Sequence, residues 1–261
     1  MSLEKPEMID KEFYCEKHGI KYTSKVLNIF GSSVFACCPE CAKEQKGEEE
    51  FTQDKQNEML KRDGYIKQRI RPEFFNATFE NYIALNETHK AAVDACKSLI
   101  NGEIKKLILI GSNGLGKSHL GNATLKIMGG ERYTAYELSC MYRQCYSAKP
   151  MFDEMGMVDR LVHLPFLLIE ELGKTKGSEA ELNFLSYLFD ELHTHRTPFM
   201  INTNKIKKVD CPLFQKSKES CRNCMQKRCI ESFIENDTVS RLSQNGKIVV
   251  MTGDDYRRKK L

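Results

Sequence analysis

Residues 111–118 read Gly-Ser-Asn-Gly-Leu-Gly-Lys-Ser. The pattern G-x-x-x-x-G-K-[ST] belongs to a loop that wraps phosphate. Gly111, Gly114 and Gly116 lack a Cβ, so the main chain through Ser112, Asn113 and Leu115 can bend tightly and close its N–H groups on phosphate oxygens. Lys117 adds positive charge at the β/γ-phosphates, and Ser118 offers a hydroxyl to Mg²⁺. His119 leads a helical stretch to Met128 whose N-terminal dipole would face the anion. Residues 111–119 are therefore the candidate ATP contacts. Such a loop needs an acidic element at the end of another strand to hold the Mg²⁺ shell and orient water. Phe166-Leu167-Leu168-Ile169-Glu170-Glu171 supplies it, with Glu170 on the metal side and Glu171 at the water-activating position. The metal-side residue is ordinarily Asp, so the longer Glu170 must reach the metal's waters by a different rotamer. Asn202-Thr203-Asn204 closes the next apolar run. Asn204 is the candidate to hold the attacking water, although Asn at that point equally suits a strand-to-loop turn.

A second chemistry is written in the cysteines, eleven in all. Cys15-x-x-His18 and Cys38-x-x-Cys41 are two ligand pairs on one short segment, and four N/S ligands suit structural Zn²⁺. Cys37 could substitute for Cys38, but Cys38-Pro39-Glu40-Cys41 has the spacing of a metal knuckle. A region this small buries little core, so a metal would supply its folding energy. Cys211, Cys221, Cys224 and Cys229 form another set, spaced C-x9-C-x2-C-x4-C. Four thiolates suit Zn²⁺ or a [4Fe–4S] cluster; the spacing matches no iron–sulfur run and favours zinc. Eight basic residues crowd 205–230 against only Asp210 and Glu219, a charge suited to a phosphate backbone or to a solvated surface. Cys96, Cys140 and Cys145 stand apart as core or surface thiols.

The elements that must position these groups form an α/β pattern. Lys106–Ile110, Arg132–Tyr136, Leu164–Ile169, Pro198–Asn202 and Lys247–Met251 are strand candidates. Helical spacing falls at Asn86–Ile100, His119–Met128, around Leu138–Tyr142, and at Ala180–His195, as a parallel sheet flanked by helices requires. Three regions result: a zinc module over 1–42, a charged helix or linker over 43–70, and an ATPase domain over 71–261 with a Cys-rich insert at about 205–230. The 261 residues suffice for a sizeable core. The net charge of +4 does not by itself argue for nucleic acid. No apolar run approaches the roughly 20 residues that span a bilayer. Met1–Glu12 has no signal-peptide pattern. The expectation is a cytoplasmic chain without membrane contact, whose cysteines are thiols or metal ligands. Local spacing suggests neither a Ser/His/Asp nor a Cys/His catalytic set.

The P-loop, FLLIEELG, PFMINTN, Ser240-Arg241-Leu242 and Thr252-Gly253-Asp254-Asp255-Tyr256-Arg257 occur in a familiar order, after a lead-in from Ile70 to Tyr82. Over residues 70–204 and 236–258 the chain resembles the DnaC-type helicase loaders, a branch of the AAA+ ATPases that includes DnaI-type loaders and IstB-type transposition helpers. The resemblance implies an AAA+ P-loop fold and ATP-dependent loading of a hexameric replicative helicase onto single-stranded DNA. It also implies self-association through the ATP site, with Arg241 as an arginine finger reaching a neighbouring subunit. Arg257 would touch the γ-phosphate within its own subunit, and Pro72, Phe79 and Tyr82 would lie near the adenine. An N-terminal zinc module that touches the helicase occurs in some such loaders. The insert at 205–230 departs from the typical loader, which has a shorter connection there. Two other readings stay open: an IstB-like transposition helper, and a metal-stapled nucleic-acid adaptor whose P-loop binds ATP with little turnover.

Overall fold

The computed structural model describes residues 8–29, 32–34, 37–150, 152–174, 178–206, 210, 215, 229–230 and 244–256. The chain divides into two compact units, one ending at Asp63 and the other beginning at Gly64.

In the first unit, β1 (Met8–Cys15) and β2 (Ile20–Ile29) form an antiparallel hairpin, and β3 (Ser32–Val34) adds to β2. The pair Cys15↔Ile20 closes the hairpin at Gly19, whose φ of +66° is the left-handed conformation that glycine adopts without strain. Phe13 and Tyr22 sit opposite one another and stack, ring centroids 5.6 Å apart. Helix α1 (Pro39–Lys67), of which residues 64–67 belong to the second unit, starts four residues before the charged stretch read from sequence. Pro39 explains the earlier start, since proline suits a first helical position where no N–H partner is needed. Every described side chain from Lys43 to Asp63 is exposed, as a stretch without apolar periodicity requires.

The second unit contains a parallel sheet of five strands: β4 (Lys106–Ile110), β5 (Glu131–Thr134), β6 (Leu167–Leu172), β7 (Phe199–Thr203) and β8 (Gly246–Val250). Their order is β5-β6-β7-β4-β8. β4 is buried at every position, which is why Lys106-Leu-Ile-Leu-Ile reads as an unbroken apolar run after its lysine. Alternate residues serve opposite faces. Leu107, Leu109, Leu168 and Met200 pack with α2 (Glu87–Ile100) and α3 (Lys117–Met128). Ile108, Ile110, Ile169 and Ile201 pack with α4 (Ala135–Gln144), α5 (Glu154–Val162) and α6 (Glu179–Thr194).

Capping sets the helix starts. Asn86 accepts from the His89 N–H, and Thr134/Glu137 and Ser178/Glu181 are reciprocal capping boxes. Three expectations need correction. Tyr136 lies in α4, because the Thr134 box ends β5 and begins the helix. β6 spans 167–172 instead of 164–169, because Leu164 closes a turn onto Leu161 and the ladder begins where Leu167 bonds to Pro198. Helix α5 was not expected; it is nine residues long and capped by Asp153. Among the described residues, no helix is long and apolar enough to cross a membrane.

Candidate nucleotide site and metal centre

The P-loop lies where β4 gives way to α3, at the carboxyl end of an interior strand, where open α/β sheets bind ligands. Gly116 caps α3 with φ +82° and no side-chain hydrogen bond, so the first-turn N–H groups stay open to an anion. Gly114 has φ +79°, and a Cβ there would overlap the Asp255 carboxylate; one on Gly116 would meet the Tyr82 ring at 2.6 Å. Both positions therefore demand glycine for conformation and for space. The loop fronts a pocket of about 500 Å³ lined by residues 113–119, by Glu171 and Lys174, and by Asn202, Thr203 and Asn204. Phe74, Tyr82, Ile83, Leu85 and His89 line its apolar part. Gly111 and Ser112 lie outside that lining, but their carbonyls accept from Lys117 Nζ at 2.8 and 2.6 Å. His119 bonds the Thr78 carbonyl at 2.8 Å and packs on Tyr82.

The two glutamates at the end of β6 are treated differently. Glu170 is 3% exposed and does not line the pocket. One of its oxygens is 2.5 Å from Arg132 Nε on β5, and Oε1 has no hydrogen-bond partner among the described residues. Glu171 does line the pocket. Its φ is +60°, and the β6–β7 register shifts between Ile169 and Leu172. Simple alternation would send Glu171 to the face opposite Glu170; the bulge re-aims it. A left-handed backbone at a non-glycine residue costs about 1–3 kcal/mol and clusters at functional sites. Lys174 Nζ holds the Glu171 carboxylate at 2.9 Å.

Asn204 lines the pocket but is exposed at the strand end. Asn202 is buried and more closely engaged, donating to the Lys117 carbonyl at 3.1 Å, with its Oδ1 unpartnered among the described residues. Sequence reading singled out Asn204 and passed over Asn202; the signal was available, since Asn202 is the first polar residue directly after the apolar Phe199-Met200-Ile201. Asn122 on α3 similarly ties the Ser118 carbonyl at 2.7 Å. Of the residues expected near adenine, Tyr82 lines the pocket, whereas Pro72 and Phe79 do not. Burial pushes the Tyr82 phenol up to about 12. Arg241 and Arg257 lie outside the described residues, as do Cys211, Cys221 and Cys224. Cys229 is buried, in a parallel bridge with Ile206.

The first unit brings Cys15, His18, Cys38 and Cys41 together, their ligand atoms all within 4.8 Å of one another. The two cysteine sulfurs of Cys15 and Cys41 are 3.8 Å apart, and His18 Nδ1 lies 3.4–3.5 Å from all three Sγ atoms. Zinc bonds of about 2.3 Å to sulfur and about 2.0 Å to nitrogen would give tetrahedral edges close to these. Cys38 is the residue turned inward, while Cys37 is exposed. The Cys41 N–H points at Cys38 Sγ, 3.4 Å away, as helix α1 begins. A residue that sequence reading missed completes the arrangement: Glu44, one turn on, accepts from His18 Nε2 at 3.1 Å. That bond fixes the ring so that Nδ1 faces the sulfurs, the usual arrangement behind a metal-bound histidine. Hydrogen bonds from Lys17 and then His18 hold the Glu44 carboxyl below its ordinary range.

No protein-family model matches the chain. A replicative helicase loader DnaC from Buchnera aphidicola subsp. Baizongia pistaciae is 27% identical over 129 residues, covering 46% of this chain and 52% of that protein. A crystal structure of the DnaC helicase loader superposes with a TM-score of 0.54 at 19% identity, covering 70% of this chain and all of that one. The chain resembles the DnaC-type helicase loaders. It spans about half the length of the curated DnaC it matches. The same fold recurs in the replication initiator DnaA bound to AMPPCP and single-stranded DNA, with a TM-score of 0.51 at 18% identity over 70% of this chain and 51% of that one. The second unit thus shares the fold of these proteins, a parallel five-stranded sheet with helices on both faces.

Proposed function

We propose that the chain is an ATPase that loads a hexameric replicative helicase onto single-stranded DNA. The observation that carries this reading is the pocket in which the open start of α3 faces Glu171 and Asn202 across the ends of β6 and β7. It supports binding of a nucleoside triphosphate with Mg²⁺, and the likeness to DnaC supports the replication role.

Position in the pocket supports the roles of the P-loop, Glu171 and the asparagines; the resemblance supports those of Arg241, Arg257 and the zinc module. The N–H groups of 113–118 and Lys117 hold the phosphates, so Lys117 must leave the Gly111 and Ser112 carbonyls when they arrive. Ser118 would hold Mg²⁺, which supplies charge neutralisation at the transferring phosphoryl group. Glu171, at the pocket wall, orients the attacking water as general base, and Asn202 or Asn204 steadies it. Glu170 acts from behind, through its unpartnered Oε1. Arg241 and Arg257 keep the roles expected of them, the first across a subunit interface. Cys15, His18, Cys38 and Cys41 hold one zinc ion that staples the hairpin to the start of α1, and this module provides the helicase contact. The basic insert and its Cys211, Cys221, Cys224 and Cys229 set, as a zinc site or an iron–sulfur cluster, provide contact with single-stranded DNA.

The test is capture of a purified hexameric replicative helicase by the full chain, with ATP and with ADP, alongside Cys38→Ser. Capture that responds to nucleotide and is lost in Cys38→Ser is the expected result. No capture in any state would overturn the loader reading and direct the search to a transposase partner.

A further inference from the structure

The turn that closes β6 carries a second lysine to the nucleotide pocket, and the roles given above leave it out. Glu171 and Gly173 both have left-handed backbones, with φ +60° and +82°. The Lys174 N–H donates to the Glu171 carbonyl at 3.0 Å. Gly173 adopts its conformation without strain, and the tight turn brings the side chains of both Glu171 and Lys174 to the pocket wall. There Lys174 Nζ lies 2.9 Å from Glu171 Oε1. The pair is open to solvent, with 67% of the lysine side chain and 39% of the glutamate side chain exposed. Exposed pairs of this kind contribute little to stability, so one partner can be exchanged for another readily. The lysines and acids that line the pocket are Lys117, Lys174 and Glu171. Lys117 stands at the start of α3. Lys174 stands beside the carboxylate read as the base for the attacking water.

We infer that Lys174 is a further catalytic residue: when a triphosphate fills the pocket, its ammonium leaves Glu171 and binds the γ-phosphate. A base and the phosphorus it serves are separated by one water in near-attack geometry. Lys174 Nζ is already in contact with Glu171, so a small swing of its flexible four-carbon stem reaches the phosphate oxygens. The exchange is favourable because a terminal phosphate carries more negative charge than a carboxylate and offers three acceptor oxygens. Glu171 is changed by it as well. An ammonium on Oε1 occupies an oxygen that has to take the water's proton, and its departure frees that oxygen when a γ-phosphate is present. Hydrolysis then joins the water oxygen to the γ-phosphorus and breaks the phosphorus bond to the β–γ bridging oxygen, which leaves on ADP; the water's proton passes to Glu171. With ADP in the pocket Lys174 is back on Glu171, so the pair tells the two nucleotides apart. The inference rests on the reading of the pocket as an ATP site. It adds a residue and the group that residue recognises.

The test is equilibrium binding of AMPPCP, a non-hydrolysable triphosphate, and of ADP, each with Mg²⁺, to the full chain and to Lys174→Met, Lys174→Arg and Lys117→Ala. Lys174→Met should lose about tenfold in AMPPCP affinity and keep its ADP affinity within about twofold of the wild type. Lys174→Arg retains the charge and should stay within about threefold of the wild type for both nucleotides. Lys117→Ala should weaken both. Unchanged AMPPCP affinity in Lys174→Met overturns the inference. So does an equal loss for AMPPCP and ADP, or a loss in Lys174→Arg as large as that in Lys174→Met. Failure of the wild type to bind either nucleotide overturns the ATP-site reading itself, and this inference with it.

Discussion

Arg132 and Glu170 form an ion pair inside the sheet, Nε to carboxylate 2.5 Å, with both side chains at most 4% exposed. They lie on neighbouring strands, β5 and β6, where Thr134 registers with Glu170. The same guanidinium reaches Glu137 at 3.5 Å, while its second terminal nitrogen finds no partner among the described residues. A buried pair of this kind is held by mutual need: removing one partner strands a charge and costs about 3–5 kcal/mol, whereas replacing both with apolar groups can be neutral. Arg132→Met should therefore destabilise the chain by about that amount in urea denaturation, and Arg132→Met with Glu170→Leu should recover most of it. A double variant no more stable than Arg132→Met would show that the pair is not the source of the loss.

Glu171 separates stability from turnover. Its left-handed backbone is strained for any residue but glycine. Glu171→Gly should raise stability by about 1 kcal/mol and abolish ATP hydrolysis, and Glu171→Gln should bind ATP while losing turnover by about 100-fold or more. Thermal unfolding and phosphate release measure the two effects; a Glu171→Gln protein with normal turnover would remove this residue from the catalytic role.

Lys117→Ala should eliminate measurable ATP hydrolysis while leaving the unfolding midpoint nearly unchanged, since its hydrogen bonds are to two loop carbonyls. Phosphate release and denaturation on the same preparation check both halves of this expectation.

The Cys15/His18/Cys38/Cys41 centre should bind one zinc ion per chain. Cys38→Ser should lower the zinc content measured by mass spectrometry by one equivalent relative to the wild type, whatever the second cysteine set contributes. Glu44→Gln should keep the ion but release it to a chelator about tenfold faster, because the carboxylate behind His18 orients its ligand nitrogen. Unchanged zinc content in Cys38→Ser would place the ion elsewhere.

Cys96 lies in the core against α3, and burial pushes its thiol up to about 12 from an ordinary 9.0. At pH 8 it should stay protonated and resist iodoacetamide until the protein unfolds, while the exposed Cys37 reacts at once. The folded-state value is the higher one, so the associated stability is complete below pH 9 and declines as pH rises from there toward about 12. Mass spectrometry of alkylated peptides, with and without denaturant, decides the matter.

What was legible in the sequence is what period and spacing encode. β4 and the start of α3 follow from an apolar run and a glycine pattern, and the metal centre from two ligand pairs. What escaped notice depends on pairs distant in sequence. Arg132 looks like a surface residue until β5 is laid beside β6 and Glu170, two positions along from its own partner Leu168, comes within reach. Glu171 reads as the next residue of a strand, because nothing in Leu-Leu-Ile-Glu-Glu-Leu announces a bulge. Asn202 outranks Asn204 in contact with the P-loop only because Gly121 leaves room for its amide beside α3, 2.8 Å from where a Cβ would stand. Glu44 gains its meaning when α1 begins at Pro39 and places residue 44 one turn beyond Cys41.

The strand order has a consequence for how such a chain can change over time. β7 and β8 flank β4 on its two sides, so the chain leaves at Thr203 and returns at Gly246 to places about 10 Å apart sideways in the sheet. Closing a connection between anchored ends becomes only about 0.6 kcal/mol harder each time its length doubles. Residues can accumulate between Thr203 and Gly246, or be lost from there, with little penalty to the sheet that carries the P-loop. Between Asn204 and Arg241, this interval is where a lineage can acquire a new contact surface while its nucleotide chemistry stays intact.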